Sequence, residues 1–133
     1  MVKAYLSISY SKRKELKEEV NAIIETLQSF NIITFVFADQ YQFHSSQEKE
    51  MMQAALQAID DCDILIAETS DKAIGIGIEA GYAKAKGKPV IYLRNKKAEH
   101  STTLSGISDH HIIYADTNDL KDQLNKLLQH YTS

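Results

Sequence analysis

Glu68-Thr-Ser-Asp-Lys-Ala-Ile-Gly-Ile-Gly-Ile-Glu-Ala-Gly-Tyr-Ala83 decides the fold, read with Asp63-Ile-Leu-Ile-Ala67 before it and Lys86-Gly-Lys-Pro-Val-Ile-Tyr92 after it. The apolar run over 63–67 reads as a buried strand. A loop holding Gly75 and Gly77 follows, then a helix over 77–86 that Gly87 ends, then a strand over 89–93. Proline is tolerated at that strand's first position, where a missing donor costs least. Strand, loop, helix and strand in this order form a crossover unit of a parallel sheet, and ligands of such sheets sit at the carboxyl ends of the strands. Glu79 is the one carboxylate delivered there by the start of the helix.

The same alternation runs outward in both directions. Residues 2–9 are β-compatible, and Leu16, Val20, Ile23, Ile24, Leu27 and Phe30 form a helical stripe over 12–30. Residues 32–37 are a continuous apolar strand. A helix over 46–61 carries Met51, Met52, Ala55, Leu56 and Ile59, with Ser45 or Ser46 as its cap. A fifth strand spans 111–115, and Asp116 or Thr117 caps a last helix carrying Leu120, Leu124, Leu127 and Leu128. The expectation is α/β: one domain over 1–133, a doubly wound five-stranded parallel sheet with helices on both faces (three-layer α/β/α), flavodoxin-like, in the order 2-1-3-4-5. That order makes strands one and three neighbours and puts the crevice between their carboxyl ends.

Bulk properties narrow the class. A chain of 133 residues is long enough for a real core, and 44% hydrophobic with 25% charged residues is the balance of an ordinary soluble protein. No apolar run approaches the roughly 20 residues that span a bilayer. The first residues read as a strand rather than a signal peptide, which together with the single cysteine, Cys62, predicts a cytoplasmic protein without disulfides. A formal charge of −3 argues against nucleic-acid polymers as partners, and the runs Lys12-Arg13-Lys14 and Arg94-Asn95-Lys96-Lys97 read as solvated faces. Adjacent His110 and His111 have no acidic or thiol partner at ligand spacing, so no metal site and no cofactor is expected.

The first strand is unusual. Val2, Ala4, Leu6 and Ile8 point one way, whereas Tyr5, Ser7 and Ser9 put hydroxyls on the other face, where a central strand should be apolar. They either bond to backbone carbonyls beneath a helix or line a polar pocket. Glu79 in the first helical turn should be held ionised by the helix dipole, its pKa lowered. Beside the Tyr5 phenol it would be an oriented carboxylate able to attack an electrophilic sugar carbon, with Gly75 and Gly77 letting backbone approach the ligand. Gly75, Gly77 and Ala80 also fit the dinucleotide fingerprint Gly-x-Gly-x-x-Ala, but they follow the third strand rather than the first, and the match reads as chance.

Cys62-Asp-Ile-Leu-Ile-Ala-Glu-Thr69, Gly75-Ile-Gly-Ile-Glu-Ala-Gly-Tyr-Ala83 and Gly87-Lys-Pro-Val-Ile91, with Tyr5-Leu-Ser-Ile-Ser9 and Leu104-Ser105, together resemble the nucleoside 2-deoxyribosyltransferase superfamily, which includes the 2'-deoxynucleoside 5'-monophosphate N-glycosidases. The resemblance covers nearly the whole chain. It implies an enzyme that cleaves or exchanges the base of a nucleoside or nucleoside 5'-monophosphate, with Glu79 as the nucleophile that becomes glycosylated and Tyr5 placing it. It also implies that Ser9 and Ser105 hold a 5'-phosphate, Ser105 reaching across a homodimer; Ser7, Asp39, Gly75 and Gly77 are the further expected ligand contacts.

Three positions depart from the family pattern. The aspartate expected 24 residues before the nucleophile is Ala55, with Glu48 or Asp39 as substitutes. The polar residue six before it is Ala73, and the glycine of the first strand is Ile8. Two alternatives remain: a nucleotide-binding module without catalysis on the same scaffold, and a Toll/interleukin-receptor-like NAD-cleaving domain, to which Ser7-Ile-Ser-Tyr-Ser11 is similar.

Overall fold

The computed structural model describes residues 2–40 and 43–132. β1 (Lys3–Ser7), β2 (Ile33–Val36), β3 (Ile64–Glu68), β4 (Val90–Asn95) and β5 (His110–Tyr114) form one sheet in the order β2-β1-β3-β4-β5, every neighbouring pair parallel. This is the order the alternation predicts. The helices are α1 (Lys17–Gln28), α2 (Phe37–Gln40), α3 (Glu48–Asp60), α4 (Ile74–Ala85), α5 (Thr102–Ile107) and α6 (Thr117–Thr132). None of the described helices is long and apolar enough to cross a membrane.

The two-residue period of the strands builds two cores. Ala4 and Leu6 of β1, Ile64 and Ile66 of β3 and Ile91 and Leu93 of β4 face α1 and α6, where they meet Val20, Ile23, Leu27, Leu120, Leu124 and Leu128. Tyr5, Leu65, Ala67, Val90 and Tyr92 point the other way and pack on Ile59 of α3, Ile76, Ala80 and Ala83 of α4, and Leu104 of α5. Both faces of the central strands are therefore covered, which accounts for their near-continuous apolar runs.

Several boundaries differ from the sequence reading. β1 stops at Ser7, and a 3-10 turn over Tyr10–Lys12 precedes α1, which starts at Lys17 with Glu18 and Glu19 in its first turn, the charge sign its dipole favours. β2 ends at Val36 because the chain turns at once into α2. α3 starts at Glu48 after Gln47 and takes no side-chain cap; Ser46 lies 3.2 Å from His44 Nδ1 instead. α4 begins at Ile74, so Gly75 and Gly77 belong to its first turn rather than to a loop. α5, which the sequence reading omitted, is capped by Ser101 accepting from the Leu104 amide at 3.4 Å. Gly87 does end α4, with φ of 76°, and Asp116 does cap α6 through the Asp119 amide at 2.8 Å.

The carboxyl end of α3 is closed from a distance. Lys88 Nζ donates to the carbonyls of Ile59 (2.7 Å), Asp60 (2.7 Å) and Cys62 (2.5 Å), tying the end of α3 to the approach to β4. Charge-assisted bonds to free helix carbonyls are the strong kind. Lys88→Met is expected to lower unfolding stability by about 1.5–3 kcal/mol, read as a fall in the urea midpoint with unchanged slope; a midpoint within error of the parent would refute the capping role.

Candidate active site

β1 and α4 make the site between them. Ile76, Ala80 and Ala83 seat α4 on the sheet, and Glu79, three residues after Ile76, lies on the side of the helix turned toward β1. Tyr5 and Ser7, alternate residues on one face of β1 and both fully buried, reach it there. The Tyr5 phenol donates to Glu79 Oε2, and the Ser7 hydroxyl donates to Oε1 at 2.6 Å. Each carboxylate oxygen thus has its own donor, and two of the three odd hydroxyls, Tyr5 and Ser7, are spent on one side chain. The Tyr5 ring is held from behind by Phe35, with centroids 5.8 Å apart.

Because α4 starts three residues earlier than expected, Glu79 stands in its second turn, beyond the strongest reach of the dipole. The expected lowering of its pKa is corrected accordingly. Burial raises the Glu79 pKa above the ordinary carboxylate value, and the bonds from Ser7 and Tyr5 only partly offset that. Burial, with the Glu79 charge beside it, also pushes the Tyr5 phenol upward, so Tyr5 remains a proton donor.

A cleft of about 230 Å³ opens onto the pair. Ser7, Gly75 and Glu79 are on its wall, with Phe37, Met51 and Met52. Ile8, Ala55 and Ala73, the three positions that depart from the family pattern, line this same cleft.

The remaining candidates lie elsewhere. Asp39 is held by Arg13 through two bonds of 2.8 and 2.7 Å, and neither it nor Glu48, the first residue of α3, is on the wall. Ser9 is buried beside Ser11, 3.2 Å between hydroxyls. Gly77 lines a neighbouring cleft of about 330 Å³ with Thr69, Lys72, Ser101 and Thr103. Ser105 is on α5, where its carbonyl lies 2.8 Å from His111 Nε2, away from the cleft of its own chain. Among the described residues no group of three or more His, Cys, Asp or Glu side chains is placed to hold a metal ion. Burial lifts the Cys62 thiol to about 11, leaving it unreactive at neutral pH.

One group was missed by sequence reasoning. Glu68, at the end of β3 and fully buried, points to the opposite face of the sheet from Tyr5. It accepts from the Ser70 amide at 2.6 Å and from the Tyr114 phenol at 2.5 Å, while Ser70 Oγ accepts from the Asn95 amide at 2.9 Å. Burial raises its pKa against the pull of those donors. This network anchors the beginning of the segment that carries Ala73 and Gly75 to the cleft. The available signal was a carboxylate closing the apolar run Ile64-Leu-Ile-Ala67, which demands buried donors.

Comparison with known proteins bears on the family and the fold. A family model described as nucleoside 2-deoxyribosyltransferase matches residues 4–126. A Thermofilum pendens protein that carries the name 2'-deoxynucleoside 5'-phosphate N-hydrolase 1 is 28% identical over 85 residues, 60% of this chain and 59% of that one, so the chain spans under two thirds of that relative's length. The solved structure of the Clostridium botulinum CMP N-glycosidase superposes with a TM-score of 0.70 at 21% identity, covering 93% of this chain and 98% of that one. The 2-deoxyribosyltransferase of Bacillus psychrosaccharolyticus gives a TM-score of 0.70 at 19% identity over 91% of each chain. At those identities the two structures speak to the fold alone.

The Glu79 environment sets a pH dependence. Its native pKa lies above the unfolded value of about 4.3, so between the two the native state binds more protons than the unfolded chain, and its contribution to stability falls as pH rises. Glu79→Gln removes that loss. Its melting temperature relative to the parent should therefore be higher at pH 8 than at pH 4.5; the reverse order would mean the carboxylate is better accommodated folded than unfolded.

Proposed function

Because the chain belongs to the nucleoside 2-deoxyribosyltransferase family, a family of enzymes, we propose that it breaks the N-glycosidic bond of a nucleoside or nucleoside 5'-monophosphate through a covalent glycosyl intermediate on Glu79. The observation that carries this is the paired donation of Tyr5 and Ser7 to the two oxygens of one half-buried carboxylate at a cleft. The chemistry follows from that arrangement. A carboxylate held by two donors is aimed without rotational search, so one oxygen can approach the anomeric carbon from a fixed direction. As the C1'–N bond breaks, its electron pair leaves with the base and Glu79 forms an ester to the sugar. Attack by water releases the sugar, whereas attack by a second base completes a transfer; both regenerate the carboxylate. Tyr5 and Ser7 stabilise the departing carboxylate in this second step because they already donate to it.

Ser9 and Ser105 remain proposed ligand contacts on the strength of the resemblance, Ser105 from a partner subunit of a homodimer, and Asp39 and Gly77 remain proposed contacts from their places after strand two and at the start of α4. Two large apolar side chains on the outer side of α4 support association: Ile74 is 85% exposed and Ile78 49%. Action in the cytoplasm is the compartment the lone, buried Cys62 fits. A second reading, ligand binding without cleavage, is favoured by one observation: among the described residues of the cleft wall, Ala55 and Ala73 stand where the resemblance expects an acid for the leaving base and a polar phosphate contact.

Two tests follow. Glu79→Gln should abolish release of free base from a panel of nucleosides, deoxynucleosides and their 5'-monophosphates, while Tyr5→Phe should retain a residue of it, reduced about 10²–10³-fold; full activity in Glu79→Gln would sink the nucleophile assignment. Sedimentation should give about twice the 15.0 kDa chain mass for the parent and a shift toward the single-chain mass for Ile74→Asp; a monomeric parent removes the homodimer.

A further inference from the structure

The wall of the Glu79 cleft is chemically lopsided. Its only titratable side chains among the described residues are Glu79 itself and Tyr10. Tyr10 stands 65% exposed and offers a phenol, not a carboxylic acid or an imidazolium. Neither carboxylate considered as a substitute acid is on the wall: Asp39 pairs with Arg13, and Glu48 is the first residue of α3. The rest of the lining is apolar or soft, notably Phe37, Met51, Met52 and Ala55.

A neutral purine or pyrimidine leaves its sugar as an anion unless it is protonated, and a general acid normally contributes ~10²–10⁴-fold to that step. Among the described residues of this chain the cleft wall has no such acid beyond Glu79 itself. It does have one negative charge set in an apolar wall with two aromatic rings and two thioethers, an environment that favours a flat organic cation. Its volume of about 230 Å³, below the ~300–1,000 Å³ of most small-molecule sites, favours a compact ring.

We propose that the site is built for N-glycosides whose base is a cation while attached to the sugar, a pyridinium or similarly quaternised ring, and departs neutral. This rests on the glycosidase reading and names the substrate class of that same site. In the first step Glu79 bonds to C1' while the C1'–N⁺ bond breaks, and its electron pair neutralises the ring nitrogen, so no proton is required. In the second, water oxygen bonds to C1', the ester bond breaks to return the carboxylate, and one proton passes to solvent. The ground state gains as well, because the cation neutralises a buried carboxylate that otherwise has only hydroxyl donors.

The test compares nicotinamide riboside and its 2'-deoxy form with cytidine and 2'-deoxycytidine, using the full chain and correcting each rate for uncatalysed hydrolysis. The expected result is a corrected kcat/KM at least 100-fold higher for the cationic pair. Intrinsic lability is separated from recognition by an uncleavable cation: 1-methylnicotinamide should inhibit at a concentration at least tenfold below that of neutral nicotinamide. Equal or better cleavage of the neutral pair, or equal inhibition by the two nicotinamides, overturns this inference and leaves the glycosidase reading standing. No base from either pair, with no sugar adduct on Glu79 by mass spectrometry, overturns both.

Discussion

A carboxylate withdrawn from water must be given donors, and here the sheet itself supplies them. Tyr5 and Ser7 are available to Glu79 only because β1 is a central strand whose residues alternate between two separate cores. Sliding β1 by one residue against β3 would send Tyr5 and Ser7 into the α1–α6 core and leave Glu79 facing aliphatic side chains. The register Tyr5 to Leu65 and Ser7 to Ala67 is thus a condition of the site as much as of the fold. Packing of α4 through Ile76, Ala80 and Ala83 supplies the other half of the alignment.

The same sheet end carries a second solution to the same problem. Glu68, on the other face, is satisfied by Tyr114, the Ser70 amide and the loop they hold. Fully buried Glu68 and half-buried Glu79 are each met by a tyrosine and a serine, but of the two only Glu79 opens onto a cleft. The difference is access: Glu68 is fully buried against its partners Ser70 and Tyr114, whereas Glu79 shares a cleft wall with Ala55, Ala73 and Gly75.

The fold was legible because long apolar runs and helical stripes alternate without interruption, and that alternation allows few topologies. Tyr5, Ser7 and Glu79 could be brought together from sequence for a related reason: hydroxyls on the face of a central strand are costly unless something uses them. What escaped was governed by tertiary geometry. The start of α4 at Ile74 rather than Gly77 depends on how the Glu68 network anchors the preceding loop, and glycine-rich sequence hides such a start. α5 is a six-residue helix held by Ser101 and Leu104, too short to show a period. Asp39 looked available in sequence, yet Arg13, 26 positions away, claims it. The direction of the Glu79 pKa was not legible because burial, a tertiary property, outweighs the donors that stabilise the charge.

The first two turns of α4 present no charged residue to the outside. One stripe is sheet contact, one residue is the buried acid, and Ile74 and Ile78 present bulk aliphatic surface outward. Exposed charge enters α4 only in its last turn, at Lys84, whereas the exposed positions beside the acid are Gly77 and Ile78, the latter the immediate neighbour of Glu79. Drift on the outer surface of α4 is therefore coupled to the placement of the reactive group, and adaptation to a new ligand is easier on the facing wall, where Met51, Met52 and Ala55 hang from a separate helix.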